Sequence, residues 1–394
     1  MSNLINRIRS IDAFRAVTMF LMIFVNDLDG VPNTPEWLKH TAVMDDGLGL
    51  ADTIFPAFLF IVGLAIPYAF AHRSKREDAR IPMRIITRSF ALIFMGFFHA
   101  NMETYDEVNA ILPRPVWDSL STFSFFFIFL DYSKNAAPYK RYLCQGFGVA
   151  LLVAVCAVYK STDPAHPWLH LTWWGILGLI GWSYLICALI YHYSNGVLWV
   201  QAAAWLFFMF FNIDYHFGLL NFLAPVQRYV WLSGNGAMQA FTMAGIFVSV
   251  LYMRLVQNGE LKMLWVAMFL IAVILFNLGF IVRYFSGGIS KARDTPSWVL
   301  ICTGISLIVY SVFVLVVDRW QKYHWFKIVE PAGTNTFTCY LLPFLFYPLY
   351  QMSDFNYPEY FDQGTGGLIR SLLFALVIVW LAGLLKTINI KLKI

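Results

Sequence analysis

Along the chain, long apolar runs alternate with short polar connections. Runs close to the ~20 residues that a helix needs to cross a bilayer lie at 11–27, 51–71, 83–100, 116–132, 141–159, 173–193, 196–212, 236–256, 262–285, 297–317, 334–351 and 368–386. The runs are too long and too uniformly apolar to be barrel strands, and an open strand cannot satisfy its backbone in lipid, so each predicts a helix. The expected fold is an all-α polytopic membrane bundle of about 10–12 transmembrane helices. It forms one domain over residues 1–394, with no soluble domain and no clear internal repeat. The segment 116–132 and the pair within 173–212 are the weakest spans.

Composition agrees with the pattern. Of the 394 residues, 59% are hydrophobic and 13% charged, about half the charged share of a soluble globular domain. The 37 Phe and 14 Trp suit lipid-facing surfaces and interfacial belts. A soluble enzyme, a disordered chain and a disulfide-built secreted domain are excluded. With the N-terminus placed in the cytoplasm, alternating loops put 20 of the 28 basic residues inside, whereas Asp27, Asp29, Glu36, Asp45, Asp46, Glu103, Asp106 and Glu107 fall outside. The positive-inside rule then places both termini in the cytoplasm. The net charge of +5 is an orientation signal and implies no nucleic-acid partner. The five cysteines form no C-x-x-C pair and read as small packed hydrophobes. The first run lacks a small-residue cleavage site and is expected to remain as the first span.

Ionisable residues within spans are costly and usually face a cavity or a partner. They concentrate in the first hairpin. Asp12 and Arg15 lie three apart on one face of the first span, as an inner-leaflet ion pair. Asn26 and Asp27 end that span, and His40 follows in a loop with Asp45 and Asp46. Asp52 opens the second span, one turn before Pro56. His40 is either a solvated loop histidine or a general base whose tautomer a nearby carboxylate fixes, with Asn26 holding an oxyanion. His99 is a second candidate for the same cavity. His72, His166, His170, His192, His216 and His324 read as interface residues at helix ends. No H-E-x-x-H spacing occurs, so no metal site is expected.

The basic cluster Arg73, Lys75, Arg76, Arg80, Arg84 and Arg88 is a topology signal with anionic-lipid contact, or a seat for the phosphates of a nucleotide-bearing donor. Thr295-Pro296-Ser297 reads as a helix start able to take an anion, with Lys291 and Arg293 beside it. Gly333 and Asn335 read as a loop-to-helix cap.

These motifs together resemble the heparan-alpha-glucosaminide N-acetyltransferase family. Ser10, Asp12, Phe14 and Arg15, then Phe24, Val25 and Asn26, then Gly47, Leu48, Ala51, Asp52, Phe55 and Pro56 fit its hairpin signature. A later similarity runs from Thr295-Pro296 to Gly333, Asn335 and Tyr340. Ala16 stands where the family has glycine, and the segments on either side of His40 are longer than the family's.

The resemblance implies a transmembrane acetyltransferase that takes acetyl from cytoplasmic acetyl-CoA and delivers it to an amino sugar of a glycan on the outer face. His40 and Asn26 would then be catalytic. Arg84, Arg88 and Arg15 would seat the acetyl-CoA, and Asp52, Asp45, Lys291 and Asn335 would bind the acceptor. His40 acts either as base in a direct transfer or as a transient acetyl carrier. The alternatives are O-acetylation of a surface polysaccharide and transport of a glycan or small solute. The expected setting is a bacterial inner membrane in contact with lipid, with a homodimer as an admissible assembly.

Overall fold

In the computed structural model, residues 9–70, 80–132, 138–227, 231–353, 355 and 357–393 are described. Arg7, His72, Arg73, Lys75, Arg76 and Lys134 lie outside the described residues. The chain is an all-α bundle, with helices at every interval that the apolar pattern marks. They are α1 (Arg9–Leu28), α2 (Leu50–Phe70), α3 (Ile81–Glu103), α4 (Arg114–Phe129), α5 (Pro138–Val158), α6 (Gly175–Tyr193) and α7 (Leu198–His216). After them come α8 (Ala237–Gln257), α9 (Leu261–Arg283), α10 (Pro296–Phe313), the short pieces α11 (Glu330–Thr334), α12 (Thr336–Leu341) and α13 (Pro343–Gln351), and finally α14 (Gly364–Thr387).

Among the described residues, eight helices are long and apolar enough to cross a membrane. The number rises to nine if α7 and the turn Asn221–Gln227, bent 90° from it, make one span. This is fewer than the ten to twelve expected, for local reasons. The first turns of α1 carry Arg9, Asp12 and Arg15, and α4 has only 16 residues. The run at 334–351 is broken twice, at Asn335 and before Pro343.

The helices α1, α2, α6, α8 and α10 form the centre. α2 packs closely on α8 and α10, α3 on α6, and α1 on α2, α11 and α14. The α2–α8 contact depends on two glycines: a Cβ on Gly63 would overlap the Thr242 carbonyl, and one on Gly245 the Phe60 carbonyl. Lipid tails are as apolar as the helices themselves, so close backbone approach at small residues is a main source of attraction between them. Inside α2, Pro56 has no N–H to give the carbonyl of Asp52, four residues earlier. The indole Nε1 of Trp298 on α10 donates to that carbonyl instead, at 3.1 Å. A proline gap in one helix thus becomes a tie between α2 and α10 just beneath the polar hairpin.

Candidate active site

The site starts from the way α2 begins. Gly49 precedes its first residue, and the carboxylate of Asp52 in its first turn reaches back, with Oδ2 accepting the Gly49 N–H at 3.1 Å. A helix N-terminus favours negative charge at this position. A Cβ on Gly49 would overlap the Lys39 carbonyl, so only glycine lets the loop pass this close. The same Oδ2 accepts the Thr41 backbone N–H at 3.0 Å and its hydroxyl at 2.9 Å. Oδ1 is left for His40, whose Nδ1 lies 2.7 Å away. The carboxylate only accepts, so Nδ1 carries the proton and Nε2 keeps its lone pair. Asp52 is 1% exposed, so the carboxylate end of the pair is shielded from water while His40 stays accessible from the cavity.

A second loop closes over the first. The carboxylate of Asp46 accepts the Ile289 N–H at 2.7 Å and the Arg283 guanidinium at 2.8 Å. Both bonds hold its pKa below the usual aspartate range, that from the Ile289 amide foremost. Gly47 N–H donates to the Ile289 carbonyl and the Ser290 hydroxyl to the Val43 carbonyl. This zipper carries Lys291 to His40, with Nζ 3.3 Å from Nδ1 and 3.5 Å from Nε2. Burial pushes the Lys291 ammonium below the ordinary lysine pKa, against the pull of Asp52 and Asp29. Nearby, Asp294 is pushed up to about 7 by burial, with Lys291 opposing.

These groups face a cavity of about 440 Å3 lined by Asn26, His40, Asp52, Trp173, Lys291 and Asp294 together with apolar side chains. A second cavity, of about 320 Å3, lies farther along the same helices. Arg15, Arg88, Tyr184 and Tyr340 are among its walls, and the Arg88 guanidinium sits 5.0 Å from the centre of the Tyr184 ring. The buried side chain of Met22 lines both cavities. From Arg15 to Asn26 along α1 the rise is about 17 Å.

The structure brings together His40, Asn26, Asp52 and Lys291, and at the other end Arg15 and Arg88. It separates the remaining candidates. Asp45 is exposed and outside the cavity wall, because its neighbour Asp46 makes the contacts that turn the loop. Asp52 lines the cavity but is bonded to His40, Thr41 and Gly49. Asn335 is 2% exposed; its amide donates to the Ala382 carbonyl and its oxygen accepts from Thr338, sealing the break between α11 and α12. Arg84 is exposed outside both cavities. His99 is buried and stacked on Phe344 at 4.1 Å, behind the wall residue Tyr340, and lines neither cavity. The helix start at Thr295 is buried, and its hydroxyl accepts from the Ser290 N–H at 2.9 Å rather than facing an anion. Thr41, Trp173 and Asp294 escape sequence reasoning; only the adjacency of Thr41 to His40 offered a signal.

A family model described as "Domain of unknown function (DUF5009)" matches residues 7–215, over half of the chain. The chain belongs to this DUF5009 family. The matched stretch contains the His40 loop and all of α1, α2 and α6, the helices shared by the two cavities. This DUF5009 member is also similar to the heparan-alpha-glucosaminide N-acetyltransferase of Mus musculus, 35% identical over 99 residues, and to that of Homo sapiens, 36% identical over 98. Each stretch covers 24% of this chain and 14% of the relative, so the chain aligns with about one-seventh of the length of these curated relatives.

Proposed function

We propose that this protein is a membrane-embedded acetyltransferase that moves acetyl from acetyl-CoA to the amino group of a glucosamine-type glycan. The observation that carries the reading is the His40–Asp52 pair at the wall of one cavity, with Met22 lining both that cavity and a second one that bears Arg15 and Arg88. The similarity to N-acetyltransferases over a quarter of the chain supports it.

Acetyl-CoA is too highly charged to cross a bilayer. Arg88 and Arg15 would hold its phosphates at the cytoplasmic face, as planar bidentate guanidinium donors suit phosphate. The pantetheine arm would run past Met22, so that the thioester carbonyl arrives beside His40. The acceptor would enter from the opposite face, its sugar ring against Trp173. Nε2 of His40 removes a proton from the amine as nitrogen attacks the carbonyl carbon. The Asp52 carboxylate holds the ring in the right tautomer and stabilises the imidazolium. The Lys291 ammonium and the Asn26 amide donate to the oxyanion. Collapse of the intermediate breaks the C–S bond, and the proton held by His40 passes to the leaving thiolate.

The test is transfer in sealed vesicles. With acetyl-CoA on the Arg88 side and glucosamine on the His40 side, N-acetylglucosamine forms. Product only from hydroxyl-bearing glycans that lack an amine would point to O-acetylation, and acetyl-CoA-independent counterflow of glycan would point to transport.

A further inference from the structure

His166 and His170 were expected at helix ends; the structure puts both within the loop between α5 and α6. In the loop between α5 and α6, the sequence Asp163-Pro164-Ala165-His166-Pro167-Trp168-Leu169-His170 turns back on itself, with His166 N–H donating to the Asp163 carbonyl and Ala165 N–H to Asp163 Oδ1. One donor atom from each of Asp163, His166 and His170 then lies within 4.8 Å of the other two.

We propose that these three side chains bind a divalent transition-metal ion of the zinc type. Asp163 Oδ2 lies 2.9 Å from His166 Nδ1 and 3.7 Å from His170 Nε2. A tetrahedral zinc ion with bonds of about 2.0 Å sets its donors about 3.3 Å apart, between those two separations. Two imidazoles and one carboxylate, with an open fourth position for water, suit zinc rather than magnesium or calcium, which prefer all-oxygen sets. A plain ion pair accounts for one histidine only. Here two rings stack at 5.0 Å and 18°, and each turns a nitrogen to the same carboxylate oxygen. His170 Nδ1 donates to the Trp168 carbonyl at 3.1 Å, which leaves Nε2 as the ligand. The backbone of His170 is clamped on α3, its N–H donating to Asn101 Oδ1 and its carbonyl accepting from Asn101 Nδ2. Trp173, three residues on, lines the His40 cavity, so metal binding would stiffen that wall.

The experiment uses the full chain, free of any polyhistidine tag, purified in detergent and stripped with a chelator. Calorimetric titration with Zn2+ is expected to show one saturable equivalent and a rise in Tm. In His166→Gln and His170→Gln the saturable binding and the Tm rise both disappear. Co2+ loading of the wild type gives the ligand-field absorption of low-coordinate cobalt, which the variants lack. Gel-filtration profiles and the metal-free Tm of the variants, unchanged from wild type, show that they fold. Absence of saturable Zn2+ binding, binding that persists in both variants, or equal binding of Mg2+ would overturn the proposal. None of these readouts depends on acetyl transfer.

Discussion

The ammonium of Lys291 lies 3.3 Å from Nδ1 of His40, although 251 residues separate them in the chain. The link that makes this contact is Asp46, which ties the first loop to Arg283 and Ile289. If Lys291 donates to the oxyanion, Lys291→Met lowers kcat about 10²- to 10³-fold, as removal of one such donor does elsewhere. KM for acetyl-CoA stays within a fewfold, because the phosphates are held at the other cavity. Steady-state kinetics with acetyl-CoA and glucosamine checks both parts; a KM effect alone would contradict the assignment.

Replacing Asp52 by Asn keeps shape and removes charge. The amide oxygen can still accept from Thr41 and Gly49, so its NH2 faces His40 Nδ1 and forces the opposite tautomer. Nε2 then carries a proton and is no longer a base. A fall in kcat of about 10²- to 10⁴-fold is expected, with the fold retained. Near-normal turnover at neutral pH would show that the pair is structural only.

Met22 lines both cavities. A Trp there adds bulk between them, at a packing cost of about 1–3 kcal/mol. Met22→Trp should lose transfer from acetyl-CoA yet keep transfer from a short acetyl thioester without nucleotide, supplied on the His40 side. Equal loss with both donors, in a variant whose Tm is normal, would mean that the arm takes another route.

Asp294 gives a pH signature. Its carboxyl is pushed up to about 7 by burial, against 3.8 as the ordinary value. Between these limits the folded protein holds a proton that the unfolded chain has released. Stability therefore falls as pH rises from about 4 to about 7 and levels off above. Asp294→Asn removes this slope. The Tm difference between variant and wild type, followed from about pH 5 to about pH 8, should widen in favour of the variant and then become constant. A constant difference throughout would contradict it.

The bundle was legible because a membrane helix is recorded in its own residues: apolar run length marks every interval that proved helical. Span number was less so, because the charges of α1 and the breaks at Asn335 and Pro343 alter what each helix can cross. His40, Asn26 and Asp52 were found within one hairpin, where they lie close in sequence. The bond from Asp52 to His40 follows from the helix start at Gly49 and is not readable from the charge of Asp52 alone. The contact of Asp46 with Ile289 is supplied only by the folded loops and has no mark in the sequence. The neighbours of Asp163, His166 and His170 were hidden because a loop obeys no helical period.

The role of His40 as the base of an acetyl transfer is tested most directly by measuring N-acetylglucosamine formed from acetyl-CoA and glucosamine by the purified protein, wild type against His40→Ala. Product is expected with the wild type, and a loss of about 10²- to 10⁴-fold with His40→Ala at unchanged Tm. Undiminished transfer by His40→Ala, or no transfer by a folded wild type, would contradict it.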